Sequence, residues 1–211
     1  RAVDPRISNS EGATLYTQRS SFIYGNSHGF VGGYPTTRHS LSCAVIAQQG
    51  DEMQRDYWYD SSRLPAELAE PAAIGRRAAE RTLARLDGRQ LGTRECPVLF
   101  RADVAPSLLR SLFGAIRGHA VYRKSTFLLD QVGEQIFPDW VRLSEDPLLP
   151  RGQASAPFDN EGVATGYRDL VADGVLQGYL LDSYSARKLG LQSTASAGGV
   201  RNAGIASSGQ S

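Results

Sequence analysis

Apolar and polar positions alternate with a period of two over most of residues 6–60, and this pattern predicts β-strands. Leu41, Cys43 and Val45 share one face of a strand predicted over residues 39–47, and residues 53–59 form the strand that returns beside it. Turns are predicted at residues 9–12, 25–29 and 48–51. The sequence therefore predicts an antiparallel β meander.

A helical period replaces this alternation at residues 69–87. Ile74, Ala78, Thr82 and Leu86 recur at helical spacing, while Pro71 suits the first turn and Gly88 suits the end. The solvated face is predicted to hold four arginines: Arg76, Arg77, Arg81 and Arg85. We expect this helix to pack on the meander.

The pattern breaks at residues 89–93, and we place a domain boundary there. Residues 1–92 are interpreted as the C-terminal part of one α+β domain, and residues 93–211 as the first part of a β-rich second domain. The second domain is predicted to contain a short buried strand at 96–100, a helix at 104–117, a shorter helix within 120–130, and short strands at 135–137 and 140–143. The predicted fold class is α+β, with an antiparallel meander and a packed helix followed by an incomplete mixed β-rich domain with short helices.

A hairpin is predicted over residues 167–181. Asp173-Gly174 separates two apolar runs, and a type I′ turn at this pair needs positive φ at both residues. Residues 192–211 are rich in glycine, serine and alanine, and we expect the last ten to be mobile.

Composition limits the classes of function. A net charge of +1 provides no field for nucleic acid or an anionic membrane, and no run reaches the roughly 20 apolar residues of a membrane helix. Cys43 and Cys96 lie in apolar runs and are expected to be buried thiols. Because the chain begins at Arg1 without a methionine or a segment that could nucleate a domain, we interpret it as a fragment.

Residue patterns alone assemble no catalytic centre. The histidines at 28, 39 and 119 lack the i, i+4 spacing of zinc ligands on a helix, and no phosphate-binding loop, nucleophile elbow or Cys-x-x-Cys occurs. The acidic stretch at residues 157–162 offers two readings. Asp159 and Glu161 could act as an acid/base pair or bind a cation, or Asp159 could cap local backbone amides in an Asx-turn.

The polar stretch at 183–190 also allows two interpretations. Arg187 and Lys188, beside Tyr184, could hold a peptide carboxylate. Alternatively, they could be the cationic last turn of a short helix, where they would face the negative end of its dipole.

Six segments resemble, in order, the PmbA (TldE) branch of the TldD/PmbA family. They are Ser40-Leu-Ser-Cys-Ala-Val-Ile-Ala47, Met53-Gln-Arg-Asp-Tyr57, Tyr122-Arg-Lys-Ser-Thr-Phe-Leu-Leu-Asp130, Gln135-Ile-Phe-Pro138, Pro157-Phe-Asp-Asn-Glu-Gly162 and Ser183-Tyr-Ser-Ala-Arg-Lys-Leu-Gly190. The family is associated with zinc-dependent hydrolysis of unfolded peptides, maturation of ribosomally made peptide antibiotics, antitoxin degradation and an older description as modulator of DNA gyrase. Its TldD branch carries His-Glu-x-x-x-His on a helix after the strand that 96–100 resembles.

In this chain that helix contains neither histidine nor glutamate. The resemblance therefore implies the non-metal subunit of a heteromeric, cytoplasmic peptidase. It also implies no cofactor in this chain, zinc in a TldD-like partner, and a peptide substrate, with no nucleic acid or membrane partner. The substrate-binding residues that we predict are Phe158, Asp159, Glu161, Gly162, Tyr184, Arg187 and Lys188. The alternative is a non-enzymatic, protein-binding regulator similar to a gyrase modulator.

Overall fold

The computed structural model describes residues 3–206, which divide into two compact units. The first unit comprises the described residues up to 21 together with 35–96, and the second comprises 22–34 together with the described residues from 97 onward. The second unit thus includes the tip of the first hairpin in addition to the C-terminal segment.

The first unit is built on a three-strand meander of order β1-β2-β3, as the alternating pattern predicted. Its strands are β1 (Ile7–Gly25), β2 (Val31–Gln49) and β3 (Glu52–Ser62). β2 and β3 pair antiparallel, with Cys43 opposite Trp58. The turn predicted at 9–12 is wrong, because β1 runs through these residues without interruption.

Helix α1 (Pro71–Leu83) packs against β3. The predicted apolar stripe is confirmed: Ile74, Ala78, Thr82 and Leu86 are all buried. The arginine face is less solvated than predicted. The Arg81 guanidinium lies 4.9 Å from the Trp58 ring centroid and 3.4 Å from the Asp56 carboxylate, so part of this face binds the sheet.

The second unit contains three helices and a four-strand sheet of order β6-β5-β4-β7. Its helices are α2 (Pro106–Ala115), α3 (Gly118–Tyr122) and α4 (Ser183–Leu189). Its strands are β4 (Leu143–Glu145), β5 (Arg168–Ala172), β6 (Val175–Leu176) and β7 (Ala203–Ile205). Ile116, Leu143, Leu170, Val171 and Leu176 are among the most buried residues of its core. The fold is therefore α+β, as predicted.

The structure confirms the turn of the predicted hairpin. β5 and β6 pair antiparallel across Asp173 and Gly174, whose φ angles are 51° and 76°.

The buried strand predicted at 96–100 is wrong: these residues have no regular structure, and Leu99 is 94% exposed. The prediction of two buried thiols is wrong for Cys96, which is exposed, while Cys43 is partly buried.

Candidate functional site

The acidic loop at residues 157–162 is organised around a buried carboxylate. Asp159 is fully buried, and its Oδ1 accepts hydrogen bonds from the amides of Glu161 and Val163 at 2.9 and 3.0 Å. Its Oδ2 accepts from the amide of Ala197 at 3.0 Å. Three backbone donors thus surround one carboxylate, which satisfies its charge in the interior. The Asx-turn interpretation of Asp159 is confirmed, with the addition of a long-range bond to residue 197.

Glu161 connects this loop to helix α4. Its Oε2 accepts a hydrogen bond from the Ser183 amide at 2.8 Å, in the first turn of the helix. First-turn amides have no partner inside a helix, so the carboxylate satisfies one of them. The structure therefore brings the two predicted groups of site residues, on the loop and on α4, next to each other.

Phe158 and Gly162 fix the other side of the loop. The buried Phe158 ring packs edge-on against the rings of Phe30 and Tyr34, with centroids 5.1 and 5.4 Å apart. Gly162 has φ 81°, and a Cβ built on it would lie 2.7 Å from the Phe30 ring. Only glycine fits this position, because both the backbone conformation and the aromatic contact exclude a side chain.

Helix α4 begins with a capping box. Asp182 Oδ1 accepts from the Ser185 amide at 2.7 Å, and Ser185 Oγ accepts from the Asp182 amide at 3.2 Å. Hydrogen bonds from Ser185 hold the pKa of the Asp182 carboxyl below its usual value, and the charges of His119 and Arg117 add to this. The helix ends at Gly190, in the left-handed conformation.

Three predicted site residues lie exposed on α4. Tyr184 is 51% exposed and packs edge-on against Tyr122, and the Lys188 ammonium lies 5.6 Å from the Tyr184 ring centroid. Arg187 is exposed, and both cations belong to the last turn, so the short-helix interpretation is confirmed. Their binding of a peptide stays a prediction.

Two arginines that sequence reasoning did not single out lie together in a cleft. Arg110 is on α2, and Arg117 lies in extended backbone between α2 and α3, but both line the same cleft. Glycines 198 and 199 lie across the cleft from them. Nothing in the sequence indicates that these two arginines share a cleft or which segment lies opposite.

Models of two consecutive domains match the chain. Residues 1–86 match the PmbA/TldA metallopeptidase central domain, and residues 93–210 match the PmbA/TldA metallopeptidase C-terminal domain. The chain belongs to the PmbA/TldD metallopeptidase family. Within that family it is of the PmbA/TldE type.

Relatives support the same assignment. "Metalloprotease PmbA" of Escherichia coli O157:H7 is 51% identical over 208 residues, which are 99% of this chain and 46% of the relative. The "Metalloprotease PmbA homolog" of Haemophilus influenzae is 46% identical, over 94% of this chain and 44% of the relative. The chain thus spans about half the length of the curated relatives that it matches.

A solved structure from Bacteroides thetaiotaomicron, described as a candidate modulator of DNA gyrase, has a TM-score of 0.90 and 29% identity. The match covers 98% of this chain and 48% of that protein. No helix within residues 3–206 has the length and apolar character needed to cross a bilayer.

The family name implies a metal, but the residues that the structure describes do not fit one. Across residues 3–206, no three side chains of histidine, cysteine, aspartate or glutamate come close enough together to hold an ion. The carboxylate oxygens of Asp159 and Glu161 instead accept hydrogen bonds from backbone amides. We therefore assign no metal to the loop at 157–162.

Proposed function

We propose that this chain is the non-metal, PmbA/TldE-like subunit of a heteromeric TldD/PmbA-type zinc metallopeptidase that cleaves unfolded peptides. In this proposal a TldD-like partner supplies the zinc, and the enzyme acts in the cytoplasm. Peptide-antibiotic maturation and antitoxin degradation are the processes that we propose for it.

The composition of helix α2 carries this proposal. Catalytic zinc is held by three protein ligands, commonly two histidines with glutamate, and the TldD branch places such ligands on one helix. Helix α2 reads Pro-Ser-Leu-Leu-Arg-Ser-Leu-Phe-Gly-Ala, so none of its side chains is a zinc ligand of that kind. A family member with this helix needs a second chain to activate water for hydrolysis.

The proposed contribution of this chain is to hold the peptide. Asp159 and Glu161 fix the loop and the start of α4, while Tyr184, Arg187 and Lys188 present an aromatic ring and two cations to solvent. An aromatic ring can pack on a peptide side chain, and a guanidinium can pair with a carboxylate. We propose that the buried residues shape the surface and that the three exposed residues touch the peptide.

A protein-binding regulator is the second candidate, and one surface of the first unit favours it. Tyr57 and Tyr59 are 56% and 54% exposed on β3, and their rings stack with centroids 6.2 Å apart. Exposed aromatic residues are enriched where proteins bind each other. The gyrase description of the solved relative is consistent with a protein target.

Complex formation with a zinc-bearing TldD homologue distinguishes the two candidates. The full-length protein is mixed with that homologue, and the mixture is analysed by size-exclusion chromatography with light scattering. A stable complex should bury more than about 1,000 Å² and elute as one species. If no complex forms with the homologue, and the protein instead binds a folded protein target in a way that requires Tyr57 and Tyr59, the regulator is the better account.

A further inference from the structure

A cleft of about 410 Å³ opens in the second unit beside helix α2. One wall comes from α2 and its connection to α3, with Arg110, Phe113, Gly114 and Arg117. The other wall contains the glycine pair 198–199. None of the residues lining this cleft, within the part of the chain that the structure describes, is aspartate or glutamate.

Two arginines, Arg110 and Arg117, bring positive charge to the cleft, and the charge of Arg117 also acts on the Asp182 carboxyl. Arg110 lies within helix α2, whereas Arg117 lies directly before helix α3 in extended backbone, with φ −68° and ψ 137°. Neither guanidinium forms an ion pair with another described residue. Arg117 lies so near the opposite wall that a Cβ on Gly199 would be 3.2 Å from its Nη2.

Both walls are held in place by the fold. The backbone around Arg117 is fixed to residue 180, because the Gly118 amide donates to the Leu180 carbonyl and the Leu180 amide donates to the Ile116 carbonyl, each at 2.9 Å.

The glycine wall is fixed by Arg201, whose Nη1 donates to the Gly199 carbonyl at 3.2 Å and whose Nη2 donates to the Ala197 carbonyl at 3.4 Å. The Arg201 amide in turn donates to the buried Glu145 carboxylate at 2.9 Å. A ligand entering this cleft would therefore order little of the backbone, which lowers the entropic cost of binding.

We propose that this cleft binds a carboxylate group of the peptide substrate. A guanidinium presents a planar fork that matches a carboxylate, and two such forks in one cleft suit an extended acidic segment or a chain terminus. Phe113, Leu180 and Val200 give the cleft apolar surface, which suits a peptide better than a polyphosphate. The inference rests on the proposed function in taking a peptide as the ligand.

Peptide binding to the full-length protein tests the inference without any partner subunit. Fluorescence anisotropy is measured with three labelled peptides of equal length: an aspartate-rich peptide with an amidated C-terminus, its asparagine counterpart also amidated, and the asparagine peptide with a free C-terminus. We expect at least one carboxylate-bearing peptide to bind about tenfold or more tightly than the amidated asparagine peptide. Which of the two does so identifies the side chain or the terminus as the source of the carboxylate.

Variants then locate the binding. Arg110→Gln and Arg117→Gln should each lower the affinity for the preferred peptide by about tenfold, while leaving the affinity for the amidated asparagine peptide unchanged. Arg89→Gln removes another exposed arginine, outside the cleft, and should have no effect. Gly114→Leu should abolish the preference by filling the cleft, since a Cβ at Gly114 meets nothing within 4 Å and the helix keeps its packing.

Equal affinity for all three peptides overturns the inference, and so does a preference that survives both arginine substitutions. The proposed function fails separately, because it is measured by complex formation and turnover with a partner. A complex that forms normally while the three peptides bind equally would overturn only the carboxylate cleft.

Discussion

Replacing Gly174 by alanine should destabilise the second unit by about 1–4.5 kcal/mol. The residue has φ 76°, and an L-residue in that conformation is strained by about 1–2 kcal/mol. A Cβ there would also overlap the Phe137 carbonyl oxygen and lie 2.6 Å from that of Pro138. Relief requires the backbone at 136–138 to move.

That movement disturbs the hydrogen bonds that close the turn. The Gly174 carbonyl accepts from the amides of Ile136 and Phe137 at 2.9 and 3.0 Å, and its amide donates to Val141 at 2.9 Å. Each bond contributes about 0.5–1.5 kcal/mol, so losing two of them adds about 1–3 kcal/mol to the strain. The more restricted unfolded chain offsets about 0.4–1 kcal/mol of this.

Gly133 provides a matched control in the same unit. Its φ is 89°, and a Cβ there meets nothing within 4 Å, so Gly133→Ala should incur only the strain. The chain has 2 tryptophans, Trp58 in the first unit and Trp140 in the second. In a Trp58→Phe background, the fluorescence of Trp140 during urea unfolding therefore reports on the second unit. With a slope of about 2 kcal/mol per molar urea, the midpoints of the two variants should differ by about 1 M. Equal midpoints would refute the backbone clash.

Three further predictions follow from the second unit and the connection before it. Asp182→Ala should lower the free energy of unfolding by about 1 kcal/mol at neutral pH. Because folding lowers the pKa of this carboxyl, the stability difference between variant and parent should be complete above the ordinary pKa of 3.8 and should shrink as the pH falls through the folded pKa. Urea midpoints that differ by the same amount at about pH 2 would contradict this. Asp159→Ala should lower stability by about 2–4 kcal/mol because it leaves buried amides unpaired, whereas Arg187→Ala, at an exposed position, should change stability by less than about 0.5 kcal/mol. Thermal melts in which Arg187→Ala is the more destabilising would contradict the structural role of Asp159 and the exposed position of Arg187. Limited proteolysis should first cut within the exposed residues 88–100, and a first cut inside α1 or α2 would contradict a boundary there.

Features fixed by neighbouring residues were predictable from the sequence. The Asp173-Gly174 turn follows from the demand for positive φ, and α4 follows from its cap and its terminal glycine. The buried apolar stripe of α1 follows from the helical spacing of its apolar residues. In each case the residues that specify the element lie inside it.

Features fixed by distant partners were not predictable. Residues 96–100 are apolar enough for a strand, but they pair with no strand among the described residues and lie exposed. Residues 9–12 have turn composition, but pairing within the sheet keeps them extended.

The same holds for the site. The Asx-turn of Asp159 was predictable, but its bond to Ala197 joins residues 38 apart, and the cleft of Arg117 depends on a glycine pair about 80 positions later.

Zinc content and peptide turnover, measured for each subunit alone and for the mixture, test the central claim most directly. Elemental analysis should find no stoichiometric zinc in the full-length protein and about one equivalent in the TldD-like partner, and peptide hydrolysis should appear only in the mixture. Near-stoichiometric, chelator-sensitive zinc in the full-length protein alone would contradict the account. Full activity of the partner without this subunit would contradict it as well.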